Sequence, residues 1–214
     1  VPSELGALSD IGYLGLGQTY LSGTVPVLAP TLQVLHAEYA PISGQLSAEM
    51  ASTMQRVQSI SFSGSRLSGT LPSELSVAKL ARATFGKTSI SGTLPSELGQ
   101  PAHLNLLDLS HTSLSGTVPT ELFTSSNRLE TLNLFGTRLS GTLPTSFATL
   151  GSLRNLYLPR ELTQYLRRKY CREELLLPMR FNYFWDLAAA ALDSRSQTCD
   201  NPYTVSEAFP IVTE

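Results

Sequence analysis

The sequence predicts an α/β repeat fold. One short strand per unit builds a curved parallel β-sheet, short helical or 3₁₀ turns line the opposite, convex side, and a helical module follows at the C-terminal end. Three observations lead there. A Ser-Gly pair recurs at Ser22-Gly23, Ser43-Gly44, Ser68-Gly69, Ser91-Gly92, Ser115-Gly116 and Ser140-Gly141, so the glycines lie 21, 25, 23, 24 and 25 residues apart. A fixed apolar pattern precedes each pair. Beyond Gly151 the glycines stop, and residues 159–214 hold eight of the chain's 17 aromatic side chains.

The apolar pattern fixes the strands. It reads Ile11, Leu14, Leu16, Leu21 in the first unit and Leu32, Leu35, Ala37, Ile42 in the second. Val57, Ile60, Phe62, Leu67 and then Leu80, Ala83, Phe85, Ile90 continue it, followed by Leu104, Leu107, Leu109, Leu114 and Leu129, Leu132, Leu134, Leu139. A seventh strand begins at Leu153, Leu156 and Leu158 without reaching a Ser-Gly. The alternation of apolar and variable residues in each is that of a strand with one buried face. Seven strands at about 4.8 Å would stack to about 30 Å. A single unit cannot bury its own apolar side, so each must pack on the next. The solenoid is therefore assigned to residues 1–158, with an incomplete first repeat.

The residues after each strand have physical roles. Glycine suits a turn where a side chain would clash or φ is positive. Pro26, Pro72, Pro95, Pro119 and Pro144 pre-set φ and open a helical or 3₁₀ turn, with Glu4, Glu74, Glu97 and Glu121 near its positive end. Such regular spacing marks these glutamates as structural or solvated rather than catalytic. The second unit is the weak one: it has Gln45-Leu46-Ser47 in place of Thr-Leu/Val-Pro, and Ala37 and Ala40 at core and ladder positions. It is expected to bury less and to pinch the curve.

These units resemble the leucine-rich-repeat family, and within it the plant-type class that carries Leu-Ser-Gly-x-[Ile/Leu/Val]-Pro after the strand. The resemblance covers about residues 1–158. One departure stands out: where the family pattern has a ladder Asn, this chain has Thr19, Ala40, Ser65, Thr88, Thr112 and Thr137. In the family that Asn serves the backbone of neighbouring coils, a task a Thr hydroxyl can share and Ala40 cannot. Thr-ladder repeats of this kind are similar to those of unicellular algae and other protists.

Residues 159–214 form a different, helical and aromatic-rich module, read as a cap over the apolar end of the last coil. Leu162, Tyr165, Leu166 and Tyr170 fall near one helical face, and Arg167, Arg168, Lys169 and Arg172 mostly on the others. A second short helix is expected over 184–193. Arg167, Arg168, Phe181, Tyr183, Phe184 and Trp185 are candidates for docking a partner, because aromatic and Arg side chains dominate interface energetics. Cys171 and Cys199 are the only cysteines. The likeness to the cysteine-paired caps of extracellular repeat proteins implies one disulfide; two separate thiols in a reducing compartment are the alternative.

Chemistry is nearly absent from the sequence. His36, His103 and His111 are the only histidines, and no Cys/His/Asp spacing suits a metal site. No nucleophile elbow, phosphate loop or dinucleotide fingerprint occurs, so neither an enzyme nor a cofactor is expected. Lys and Arg number 15 against 17 Asp and Glu, which leaves no chain-wide basic footprint for nucleic acid. No apolar run approaches a membrane span, so membrane association would be peripheral, through a membrane-protein partner. What remains is the outward face of the strands. Its columns are Tyr13, Val34, Ser59, Arg82, Leu106, Thr131, Asn155; then Gly15, His36, Ser61, Thr84, Asp108, Asn133, Tyr157; then Gly17, Glu38, Ser63, Gly86, Ser110, Phe135, Pro159. Tyr13, His36, Arg82, Asp108, Asn133, Phe135 and Tyr157 are the candidate binding residues.

The expected function is non-catalytic protein binding, as a scaffold or accessory subunit of a larger assembly, an algal membrane-associated complex being one such. The alternative is a secreted or cell-surface recognition protein for a peptide, a glycan or a pathogen enzyme. An oxidising compartment is expected, extracellular or an organelle lumen, with the thylakoid lumen or another organelle-membrane surface as alternative. Residues 1–5, Val-Pro-Ser-Glu-Leu, match 94–98 in mid-repeat, so a further upstream strand, a capping element or another subunit is expected to cover that end.

Overall fold

A computed structural model describes residues 3–100, 103–123, 128–143 and 152–162. Seven three-residue strands form one all-parallel sheet: β1 (Tyr13–Gly15), β3 (Val34–His36), β5 (Ser59–Ser61), β7 (Arg82–Thr84), β9 (Leu106–Asp108), β11 (Thr131–Asn133) and β13 (Asn155–Tyr157). Their order is sequential, so each coil lies against the next. The middle residues meet in one row, Leu14, Leu35, Ile60, Ala83, Leu107, Leu132 and Leu156, in register across the sheet. All seven are buried. A second buried row two residues on holds Phe62 and Phe85, whose rings stack at 6.2 Å.

The sequence pattern predicted one strand per unit, and the structure has two. β2 (Gly23–Thr24), β4 (Ile42–Gln45), β6 (Arg66–Thr70), β8 (Ser89–Thr93), β10 (Ser113–Gly116) and β12 (Arg138–Leu139) form a second parallel sheet through the Ser-Gly repeat. Its glycines have φ between +81° and +103°. They also lack room for a side chain: a Cβ on Gly92 would lie 2.9 Å from the Thr70 methyl of the preceding coil, and one on Gly44 2.8 Å from that of Thr24. Ser-Gly-Thr therefore works between coils, each Thr methyl filling the place where the next coil's glycine has no side chain. Ser68, Ser91 and Ser115 hydroxyls donate to the glycine carbonyl one coil back, at 3.2 to 3.4 Å.

Turns on the far side close each coil. Ser3–Ala7, Ser73–Val77, Ser96–Gly99 and Thr120–Phe123 are 3₁₀ turns, and Pro72 and Pro95 stand at the N-caps of two of them. The second unit, which lacks the proline, has instead an α-helix, α1 (Ala48–Thr53), capped by the Ser47 hydroxyl accepting from the Met50 amide at 3.1 Å. Ala37 and Ala40 are fully enclosed, and Met50 and Met54 are buried in the same core.

The ladder positions also differ from expectation. Thr19, Thr88, Thr112 and Thr137 each donate to the carbonyl three residues earlier in their own coil, at 2.7 to 2.8 Å. The hydroxyl ties a coil to itself, where a reach to neighbouring coils was anticipated. The acceptor is in each case the carbonyl of the residue just after the inner strand. At the C-terminal side, Leu162 is fully buried and joins the core.

Candidate binding face

The inner sheet presents the outward columns in the predicted register: Tyr13 opposite Val34, His36 opposite Ser61, Asp108 opposite Asn133, and Asn133 opposite Tyr157. Backbone pairing runs past the strands, with the Gln18, Tyr39, Gly64, Lys87 and His111 amides each donating to the next coil at 2.7 to 2.8 Å. That pairing holds the third column flat.

The middle of the face is low. Ser59, Ser61 and Ser110, in its outward columns, are buried. His36 Nε2 is 2.9 Å from the Ser59 hydroxyl, and the Thr84 hydroxyl donates to that of Ser61 at 2.6 Å. At the N-terminal end Tyr13 is 62% exposed, folds across Gly15 and meets the His36 ring edge-on at 5.9 Å. His36 Nδ1 lies 3.8 Å from the Glu38 carboxylate. Four coils away, Phe135 is 45% exposed and meets His111 edge-on at 5.3 Å. The face is thus a floor of small hydroxyl residues between two aromatic banks, about 20 Å apart at the coil spacing.

The remaining candidates have defined settings. Asp108 accepts from the Ser110 amide at 2.9 Å, and Asn133 from the Phe135 amide at 3.2 Å. Both side chains are thereby oriented by their own strand ends. Arg82 is exposed on β7, and half-buried Tyr157 on β13 pairs in register with Asn133 on β11. The structure brings Tyr13 together with His36, and Asn133, Phe135 and Tyr157 at the other end; the two groups do not meet. Arg167, Arg168, Cys171, Phe181, Tyr183, Phe184, Trp185 and Cys199 lie outside the described residues.

One row of the face was missed. Gln18, Tyr39, Gly64, Lys87, His111 and Gly136 precede the ladder positions in six successive coils, and all have φ between +53° and +71°. This left-handed turn lays the Tyr39 and His111 rings against the next coil. Where the row carries a ring, glycine follows in the next coil: a Cβ on Gly64 would lie 2.5 Å from the Tyr39 ring, and one on Gly136 2.7 Å from His111. The signal was present as a residue just before each ladder Thr. It went unread because only two of the six are glycine.

Among the described residues no group of three or more His, Cys, Asp and Glu is placed to hold a metal ion, and no helix is long and apolar enough to cross a membrane.

A stacked parallel sheet, turns on the far side and an open inner face define a leucine-rich-repeat solenoid of the plant type, and this chain is one. The leucine-rich-repeat family model matches residues 103–124 and 128–150. Among solved structures, the chain is similar to PEPR1 in the PEPR1-AtPEP1 structure, with 30% identity and TM-score 0.70 over 74% of this chain and 22% of that one. It is similar to the plant peptide hormone receptor RGFR1 in complex with RGF2, with 25% identity and TM-score 0.63 over 74% and 30%. The ectodomain of the Arabidopsis receptor kinase HAESA, with an IDA peptide hormone ligand, shares the fold at 23% identity and TM-score 0.69 over 75% and 28%. The chain therefore spans 22 to 30% of the length of these structures. No curated protein matches it in sequence.

Proposed function

We propose that this chain is a non-catalytic recognition module that holds an extended segment of a partner protein along the inner sheet, between the Tyr13–His36 bank and the His111–Phe135 bank. The observation that carries this is the buried serine floor at Ser59, Ser61 and Ser110. Residues that small leave the sheet low between the banks, where a backbone can approach closely, and the half-buried His36 and Thr84 that hydrogen-bond Ser59 and Ser61 offer it polar groups. The likeness to RGFR1, a plant peptide hormone receptor, supports a peptide-like ligand and a cell-surface or otherwise oxidising location.

A scaffold or accessory-subunit role, in an algal membrane-associated complex or another assembly, is the second reading. It is favoured by the absence of a continuous charged or aromatic stripe across the three inner columns, a surface suited to one fixed partner. Both readings use the same face. The test is binding of the isolated partner or peptide to the wild type and to S61R. An arginine on the floor is expected to weaken binding by about tenfold or more while leaving the circular dichroism spectrum unchanged. Unaltered affinity would remove the inner face from the account.

A further inference from the structure

A second interaction surface lies on the flank of the solenoid, away from the inner face. The residue just before the first core position of four successive coils is basic: Arg56 before Val57, Lys79 before Leu80, His103 before Leu104 and Arg128 before Leu129. All four are exposed, while the apolar residue after each is buried. The stacking of the coils turns this recurrence into a row at about 4.8 Å intervals. A shallow groove beside the row is lined by Lys79, His103 and Arg128 and by the amides of Gln58 and Asn105. Arg128 Nη1 lies 3.4 Å from His103 Nδ1, so its guanidinium is drawn along the row rather than away from it. Glu130 is the one carboxylate lining the groove and lies at its Arg128 end.

We propose that this row binds an acidic peptide segment in the polyproline II conformation, with carboxylates three residues apart. Pitch and charge select this ligand. Polyproline II has three residues per turn and rises about 9.3 Å in that span, with the backbone groups left free. Lys79 and Arg128 are two coils apart, about 9.6 Å. A Glu-x-x-Glu segment therefore sets successive carboxylates against these two cations without strain. An ordinary β-strand, with same-face side chains about 6.8 Å apart, falls out of step with the row. The amides of Gln58 and Asn105 are available to the peptide's unpaired backbone groups. Glu130 repels a carboxylate placed past Arg128, so the segment extends toward Arg56. The proposal is independent of the inner-face reading, since no residue is shared between the two.

The test is fluorescence anisotropy with the full chain and a labelled peptide of three glutamates separated by Pro-Pro, against a peptide of the same composition with its glutamates adjacent. The spaced peptide is expected to bind at least about threefold more tightly, and both to weaken with added salt. K79E/R128E is expected to lose about tenfold in affinity for the spaced peptide. R66E/R138E, with the same change in net charge on exposed positions of the second sheet, is expected to stay within about twofold. Circular dichroism confirms that each variant is folded. Equal affinity for the two peptides, equal loss in the two variants, or binding of an anionic polysaccharide at the row with no binding of either peptide would overturn the proposal.

Discussion

Replacing Gly92 with alanine tests the most specific statement about how the coils fit together. Gly92 has φ of +84°, and a Cβ there would lie 2.9 Å from the Thr70 methyl. The backbone term costs an L-residue about 1 to 2 kcal/mol. Forcing a methyl group into the Thr70 contact adds about 1 to 2 kcal/mol. G92A should thus lose about 2 to 4 kcal/mol, read as a fall in the urea midpoint at constant slope by far-ultraviolet circular dichroism. The two terms separate in a double-mutant cycle, because T70A removes only the contact. Thr70 is exposed, so T70A alone should cost little. T70A/G92A should recover about 1 kcal/mol relative to the sum of the singles. A G92A variant within about 0.5 kcal/mol of wild type, or strictly additive effects, would refute the claim that Thr and Gly interlock between coils.

Two further substitutions probe the core and the ladder by the same assay. T112V keeps the shape of a buried side chain but removes its 2.8 Å hydrogen bond to the Leu109 carbonyl, and should cost about 1 to 2 kcal/mol; no loss would mean that the hydroxyl does not hold the turn. L107A should cost about 3 to 5 kcal/mol, because Leu107 is fully buried between Ala83 and Leu132, and the neighbouring alanine cannot expand into the void.

The inner sheet was legible because its signal is a strict alternation: with Leu107 and Leu109 committed to the core, Leu106, Asp108 and Ser110 had to face out. The second sheet was not. Ser, Gly and Thr around Gly92 read locally as a turn, and only stacking against the coil on either side makes them a strand. The same limit hid the left-handed margin. Tyr39 and Lys87 adopt positive φ because the sheet's hydrogen bonds carry them there, a tertiary cause with no local residue preference. In the second unit the helix capped by Ser47 was not anticipated either, where only a weaker unit was expected. The positions of the binding face followed from register alone. Its ligand did not, because small residues such as Ser59 and Ser61 define a shape without naming the chemistry that fills it.

Site-specific photocrosslinking tests the central claim most directly. A benzophenone side chain placed at Ser61, on the floor of the inner sheet, is compared with one at Glu74, on the turn of the opposite side. The native partner is expected to be captured from Ser61 and not from Glu74. Capture from Glu74 with none from Ser61 would contradict it.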